Sequence, residues 1–188
     1  MTELEQYEKS VKECVEKGND YLFHNEGNGH ALIICKYLFK NAQKEVLIAA
    51  NQLYNDEVVN TREYIESMKS FLDKGNTRLN IIIASLPPKE QVSQNHESFY
   101  WMLYNHPSYK ESRVQIKEGQ GKFFRGTDGK EINFCTGDHN MYRFETDINL
   151  RRAVANFNDP KINGYLRDSY HKIFDTLDSN VNLNDFFA

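Results

Sequence analysis

EVLIAA (residues 45–50) and RLNIIIAS (78–85) decide the fold. Each is a short, continuous apolar run, the pattern of a strand covered on both faces rather than one that alternates between core and water. Between them Asn60-Thr61-Arg62-Glu63 has capping-box character, and Tyr64, Ile65, Met68, Phe71 and Leu72 recur at helical spacing until Gly75 ends the run. A buried strand, a helix and a second buried strand predict a parallel pair joined by a right-handed crossover. Pro87-Pro88 closes the second strand.

Upstream, Leu4, Tyr7, Val11, Cys14 and Val15 predict an amphipathic helix over 3–17, stopped by Gly18-Asn19-Asp20. HNEGNGH (24–30) reads as a loop before a second helix, ALIICKYLFKNA, with Ala31, Ile34, Cys35 and Leu38 on its buried stripe. Downstream, residues 91–104 predict a helix ended by Asn105-His106-Pro107. The stretch 114–147 then changes texture, with strands parted at Thr127-Asp128-Gly129 and at Gly137-Asp138. The last helix starts near Pro160 and runs to Leu177; the tail either docks through Phe186 and Phe187 or frays. The expected architecture is α/β, one domain with a mixed sheet flanked by helices. Its expected parts are an N-terminal helix and loop (1–29), the α/β domain (30–178) and a C-terminal tail (179–188).

With 188 residues the chain is long enough for one proper core, and 12 Phe and 11 Tyr supply bulky filling. No apolar run approaches the roughly 20 residues that span a bilayer. The acidic N-terminus also lacks the charged and apolar regions of a signal peptide. The expectation is a soluble, cytoplasmic protein with no membrane partner. Net charge is −4, and residues 1–30 carry all of it, so the remainder is balanced. That balance does not support non-specific nucleic-acid binding, although a local basic groove stays open. Cys14, Cys35 and Cys135 are odd in number and lack CxxC spacing, which points to buried reduced thiols.

The stretch ICKYLFKNAQKEVLIAANQLYND…YIESMKSFLDKGNTRLNIIIASL resembles the opening of a phospholipase D-like (HKD-type) domain. GKEINFCTGDHNMYRFETD resembles the paired strands that carry the catalytic motif in that family, and AVANFNDPKINGYLRDSYHKIFDTL the helix that follows. The resemblance spans roughly residues 30–178 and implies a half-domain of that fold. Active members need His-x-Lys-x4-Asp and a later Gly-Ser and Asn cluster, in which one His attacks phosphorus while Lys and Asn hold the phosphoryl oxygens. With Asp138 at the family Asp, the His and Lys positions fall on Glu131 and Asn133, and the later cluster on Phe144-Glu145-Thr146-Asp147. The resemblance therefore implies a degenerate domain without the standard chemistry.

Residues 137–147 form the densest polar patch. On a strand Arg143, Glu145 and Asp147 share one face. Arg143 then reads either as a guanidinium fork for a phosphate, oriented by Glu145, or as half of a strand-face salt bridge. His139 beside Asp138 reads as a general base with its orienting carboxylate or as an exposed turn residue. Asn156 and Asn158 would aim amides at a ligand beside Arg143, with Arg151-Arg152 adding charge; alternatively Asn158 or Asp159 caps the helix at Pro160. Asn51 and Gln52 follow the first buried strand, where open α/β sheets commonly bind ligands. His24, Glu26 and His30 lack a metal-binding register, and neither a metal nor a cofactor is expected.

Three functions follow. The first is a non-catalytic phospholipase D-like binding or regulatory domain for a phosphate-containing ligand or a protein partner. Its binding residues would be Arg143, Glu145, Asn156, Asn158, Asn51 and Gln52. Single-motif members of the family pair two copies, so the resemblance implies a homodimer, the commonest symmetric assembly in any case. The second is a phosphodiesterase or nuclease with a site rebuilt from Asp138, His139 and Glu145. The third is an interaction subunit of a bacterial stress or phage-defence system.

Overall fold

The computed structural model describes residues 1–178 and 180–188, leaving Ser179, the first residue of the expected tail, outside the described residues. The described residues form one seven-stranded mixed sheet. β2 (Glu45–Ala50) and β3 (Arg78–Ile83) are the two apolar runs, and they pair in parallel from Glu45↔Arg78 to Ala50↔Ile83. β4 (Val114–Glu118) adds a third parallel strand beside β3. On the other flank β5 (Phe134–Gly137) runs antiparallel to β2, and β6 (Met141–Asp147) returns beside β5. Every side chain of β2 from Val46 to Ala49 is buried, as a strand with helices on both faces requires.

Two strands depart from the sequence expectation. Phe23–Asn25, within the expected loop, is the edge strand β1. Arg152–Asn156, expected as a polar approach to the last helix, is β7, antiparallel to both β1 and β6. β7 contributes Ala153 and Ala155 to the buried face, too little apolar bulk to announce a strand. The sheet order is β1-β7-β6-β5-β2-β3-β4. The Asp128-Gly129 step makes a turn closed by an isolated bridge, Arg125↔Glu131, rather than a hairpin of long strands. The helix expected over 91–104 is two short pieces, α4 (Lys89–Gln94) and α5 (Phe99–Asn105), and a further turn, α6 (Pro107–Lys110), follows the expected stop. Ser98 caps α5, and Pro107 opens α6 at a position where its missing N–H is not needed.

α1 (Glu3–Lys17) begins with a capping box from Thr2 and Glu5 and ends at Gly18 in the left-handed region. It lies on α2 (Gly27–Asn41), and together with α3 (Arg62–Leu72) these helices cover one face of the sheet through Ile34, Leu38, Phe39, Met68 and Phe71. α7 (Pro160–Phe174) covers the other face with Tyr170 and Phe174, packed against Leu47, Ile82 and Phe134. Asp159 caps α7, accepting from the N–H groups of Lys161 and Ile162. Gly137 lets α2 approach β5 closely, since a Cβ there would meet Leu38 and Met141 at 3.0 Å. The tail docks: α8 (Asn184–Phe187) buries Phe186 against Tyr100, and Val181 N–H donates to the Ile116 carbonyl on the β4 edge. None of the described helices is long and apolar enough to cross a membrane.

The β5–β6 turn is fastened by Asp138. Its carboxylate accepts from the backbone N–H groups of Gln43 (2.8 Å), Lys44 (2.8 Å) and Glu45 (3.0 Å), tying the turn to the start of β2. Asp138 itself sits at φ 49°, which Asp tolerates better than most residues. Because three amides lose a charged acceptor together, Asp138→Ala is expected to lower stability by about 3 kcal/mol. Urea denaturation checks this, and a loss below about 0.5 kcal/mol would show that water replaces the carboxylate.

Candidate functional site

At the carboxyl end of β2 the sheet opens into a cavity of about 240 Å³. Asn51, Gln52, Leu53, Asn55, Val58 and Val59 rim it after β2, Ala31 and Cys35 line it from α2, and Cys135, Arg143 and Glu145 floor it from β5 and β6, with Asn133 from the segment entering β5. The strand period puts this floor together. Cys135 pairs with Arg143 across the β5–β6 ladder, and Glu145, two residues on, shares its face. On the far side Arg143 registers with Ala155 and Glu145 with Ala153, so small β7 side chains leave room for two long ones. Between Glu145 and Asp147 the β6–β7 register slips, a bulge of the kind that re-aims side chains beside sites.

Arg143 and Glu145 are 6% exposed each, and Arg143 Nη1 donates to Glu145 Oε1 at 2.8 Å. Asn133 Nδ2 donates to Glu145 Oε2 at 2.9 Å, so both carboxylate oxygens are held. The other edge of the guanidinium, Nε and Nη2, is buried without a hydrogen-bond partner among the described residues, and so is Asn133 Oδ1. An unpaired buried donor of a charged group is unfavourable by about 1–3 kcal/mol, and native interiors rarely keep one without a reason. Burial disfavours the charge on Arg143, but the neighbouring Cys35 and Glu145 outweigh it and hold the guanidinium firmly protonated. Two residues at the rim take the left-handed backbone region, Leu53 at φ 50° and Arg151 at φ 49°. Strain of this type, roughly 1–3 kcal/mol each, gathers where a site over-determines the chain.

The sequence candidates divide cleanly. Arg143, Glu145, Asn51 and Gln52 meet in the cavity. Asn156 and Asn158 do not: Asn156 donates to Asp20 Oδ1 (2.7 Å) and Asn158 to the Gly18 carbonyl (2.7 Å), together holding the end of α1 to the loop before α7. The β6–β7 register places Asn156 beside Tyr142, on the face opposite Arg143. Asp138 and His139 lie in the turn at the far end of β6 from Glu145, with the Asp138 carboxylate engaged by backbone and His139 exposed. Glu131 accepts from Asn51 Nδ2 at 2.7 Å in a cleft that adjoins the cavity through Asn51 and Glu145. Of the two arginines expected to add charge, Arg151 lines the cavity and faces Glu57 at 3.9 Å, whereas Arg152 pairs outside with Glu26. His30 stacks on Tyr7 at the start of α2, and His96 stacks on Trp101.

No protein-family model matches the chain, and no curated protein matches its sequence. Solved structures do match. Nuc from Salmonella typhimurium, a phospholipase D family member, aligns with TM-score 0.57 at 10% identity over 87% of this chain and 99% of its own. Phosphatidylserine synthase from Haemophilus influenzae Rd KW20 aligns with TM-score 0.57 at 12% identity, over 90% of this chain and 41% of its own. TrmBL2, an archaeal chromatin protein with a novel mode of DNA binding, aligns with TM-score 0.56 at 14% identity, over 94% of this chain and 63% of its own. At such identities the likeness is one of fold. The fold is phospholipase D-like, a single mixed sheet between two helical layers.

Removing one partner of the buried pair separates structure from function. Glu145→Ala leaves a buried guanidinium uncompensated and is expected to destabilise by about 3–5 kcal/mol. Replacing both, in Arg143→Met with Glu145→Met, is expected to leave the urea midpoint within about 1 kcal/mol of the parent or above it. A double variant as unstable as Glu145→Ala would make the pair a structural brace.

Proposed function

We propose that the chain is a phospholipase D-like binding domain that takes the phosphate group of an anionic ligand into the cavity over Arg143, without turnover of the His-Lys-Asp type. The observation carrying this is the guanidinium edge formed by Nε and Nη2, buried and lacking a partner among the described residues while Glu145 fixes the opposite edge. Nε and Nη2 form a fork whose spacing matches two oxygens of a phosphate. Asn51 and Gln52 at the rim supply neutral donors, and Arg151 a second positive charge. The cavity volume falls below the roughly 300–1,000 Å³ of pockets for drug-sized ligands, which suits a head group entering while the rest of the molecule stays outside.

Phosphoryl transfer of the family type needs an imidazole nucleophile and a cation on the developing oxyanion. Glu131 and Asn133 stand at those positions by sequence spacing, and each is tied by hydrogen bonds, to Asn51 and Glu145 respectively. This supports recognition over catalysis. Titration of inorganic phosphate and of bis-p-nitrophenyl phosphate by calorimetry tests the reading. Arg143→Lys keeps the charge but loses the fork, and is expected to weaken binding at least tenfold, about 1.4 kcal/mol. Unchanged affinity in that variant, or hydrolysis of the diester by the parent protein, would overturn the proposal.

The same proposal includes a symmetric pair of chains. The chain spans 99% of Nuc and 41% of the phosphatidylserine synthase, so it is a single copy of this fold, and identical copies associate most often about a two-fold axis. Sedimentation at micromolar concentration is expected to show twice the chain mass of 22.0 kDa. A single species at the chain mass would remove the pairing and leave the anion site intact.

A further inference from the structure

The cavity floor holds a second chemistry, independent of any phosphate ligand. Cys35, at the middle of α2, and Cys135, in β5, both line the cavity, and both are free thiols. They stand far apart in the chain but close in space. Gly137, two residues beyond Cys135, allows the close approach of α2, and the Cys35 sulfur comes within hydrogen-bonding reach of the Cys135 sulfur. Cys135 is also the cross-strand partner of Arg143, so the guanidinium side chain shares the cavity floor with the two thiols.

The two sulfurs are chemically unequal. The Cys35 thiol is drawn below its ordinary value, first by the hydrogen bond from Cys135; burial opposes this, and Arg143 adds to the lowering. Cys135 is pushed up, because its proton is held in that hydrogen bond and because it is buried. Of the two, the hydrogen bond favours the thiolate, the nucleophilic form, on Cys35 over Cys135. Cys14 provides the contrast within the same chain. It is equally buried, its S–H faces the Asn19 carbonyl at 3.5 Å, and burial together with Asp20 raises its thiol. Among the described residues no third His, Cys, Asp or Glu joins the pair in a group fit to hold a metal ion, so the arrangement is a dithiol.

We propose that Cys35 and Cys135 form an oxidisable dithiol, in which Cys35 attacks a small hydroperoxide entering the cavity and Cys135 closes the product to an internal disulfide. In the first step the Cys35 thiolate takes the terminal oxygen of the peroxide. The O–O bond breaks, sulfur is oxidised to sulfenic acid, and the departing alkoxide, or hydroxide from hydrogen peroxide, takes up from solvent the proton that the Cys35 thiol had released there and leaves as an alcohol or as water. In the second step the Cys135 sulfur displaces the hydroxyl from Cys35. The S–S bond forms, the S–O bond breaks, and the Cys135 proton leaves with the hydroxyl as water. The bridge would lock α2 onto β5 at the floor of the cavity and withdraw the anionic sulfur from Arg143.

Hydrogen peroxide treatment of the intact chain, followed by alkylation and peptide mass spectrometry, tests the proposal. The expected product is a peptide pair linked through Cys35 and Cys135, with Cys14 still open to alkylation after unfolding. Its rate of formation should exceed Cys14 oxidation by roughly tenfold or more, because the thiolate is the reacting form. In Cys135→Ser the Cys35 sulfenic acid should persist and be captured by dimedone; in Cys35→Ser neither disulfide nor dimedone adduct should form. Oxidation of Cys14 as fast as Cys35, or a disulfide between chains in place of the internal one, would overturn the proposal. So would the absence of a Cys35 adduct in a folded Cys135→Ser protein.

Discussion

A guanidinium and a carboxylate two residues apart on β6 are removed from water together, and much of this half of the molecule is arranged around that fact. Burying either charge alone would be prohibitive, and burying both is tolerable only with close geometry and further hydrogen bonds. Asn133 supplies one such bond to Glu145 from the segment entering β5. Alanines on β7 give the long side chains room, and the bulge after Glu145 bends β6 away from regular pairing at this point. Hydrophobic side chains of similar volume are expected to serve stability as well. On that expectation the pair fixes the direction of the guanidinium, with Glu145 holding Nη1.

The two ends of the β5–β6 hairpin have separate duties. At the turn, Asp138 gathers three amides at the entrance to β2 and thereby sets where β5 starts to pair with β2. At the opposite end, Asn133, Glu145 and Asn51 surround the cavity with neutral amides and a neutralised carboxylate. A sheet fastened at one end leaves the chemistry of the other free to vary. The same scaffold can thus carry different chemistry at that end in different proteins.

The apolar runs of β2 and β3 are legible because burial on both faces demands uninterrupted aliphatic residues, and little else in a chain looks like that. The caps at Thr61 and Asp159 are legible because a helix end leaves N–H groups that few side chains can satisfy. β1 and β7 are not. Each is short, and β7 presents alanine where a strand signal needs bulk, since its neighbours Arg143 and Glu145 fill the space instead. Arg143, Glu145, Asn51 and Gln52 could be picked out by strand alternation and by their place at strand ends. Asn156 and Asn158 misled because their amides serve backbone and a neighbouring loop, contacts that bring residues 18 and 20 beside residues 156 and 158.

Local rules act over a few residues, so the chain alone determined the parallel β2–β3 pair, the main helices, the shared face of Arg143 and Glu145, and the missing His-x-Lys-x4-Asp pattern. Tertiary structure decided what depends on contacts between distant segments. These include the antiparallel edge formed by β1 and β7, the removal of the ion pair from water, and the meeting of Cys35 with Cys135. Whether a charged or sulfur-bearing side chain is a surface group or a cavity floor depends on what the rest of the chain places over it. That information is held in the packing of α2 on the sheet, and no spacing in the sequence contains it.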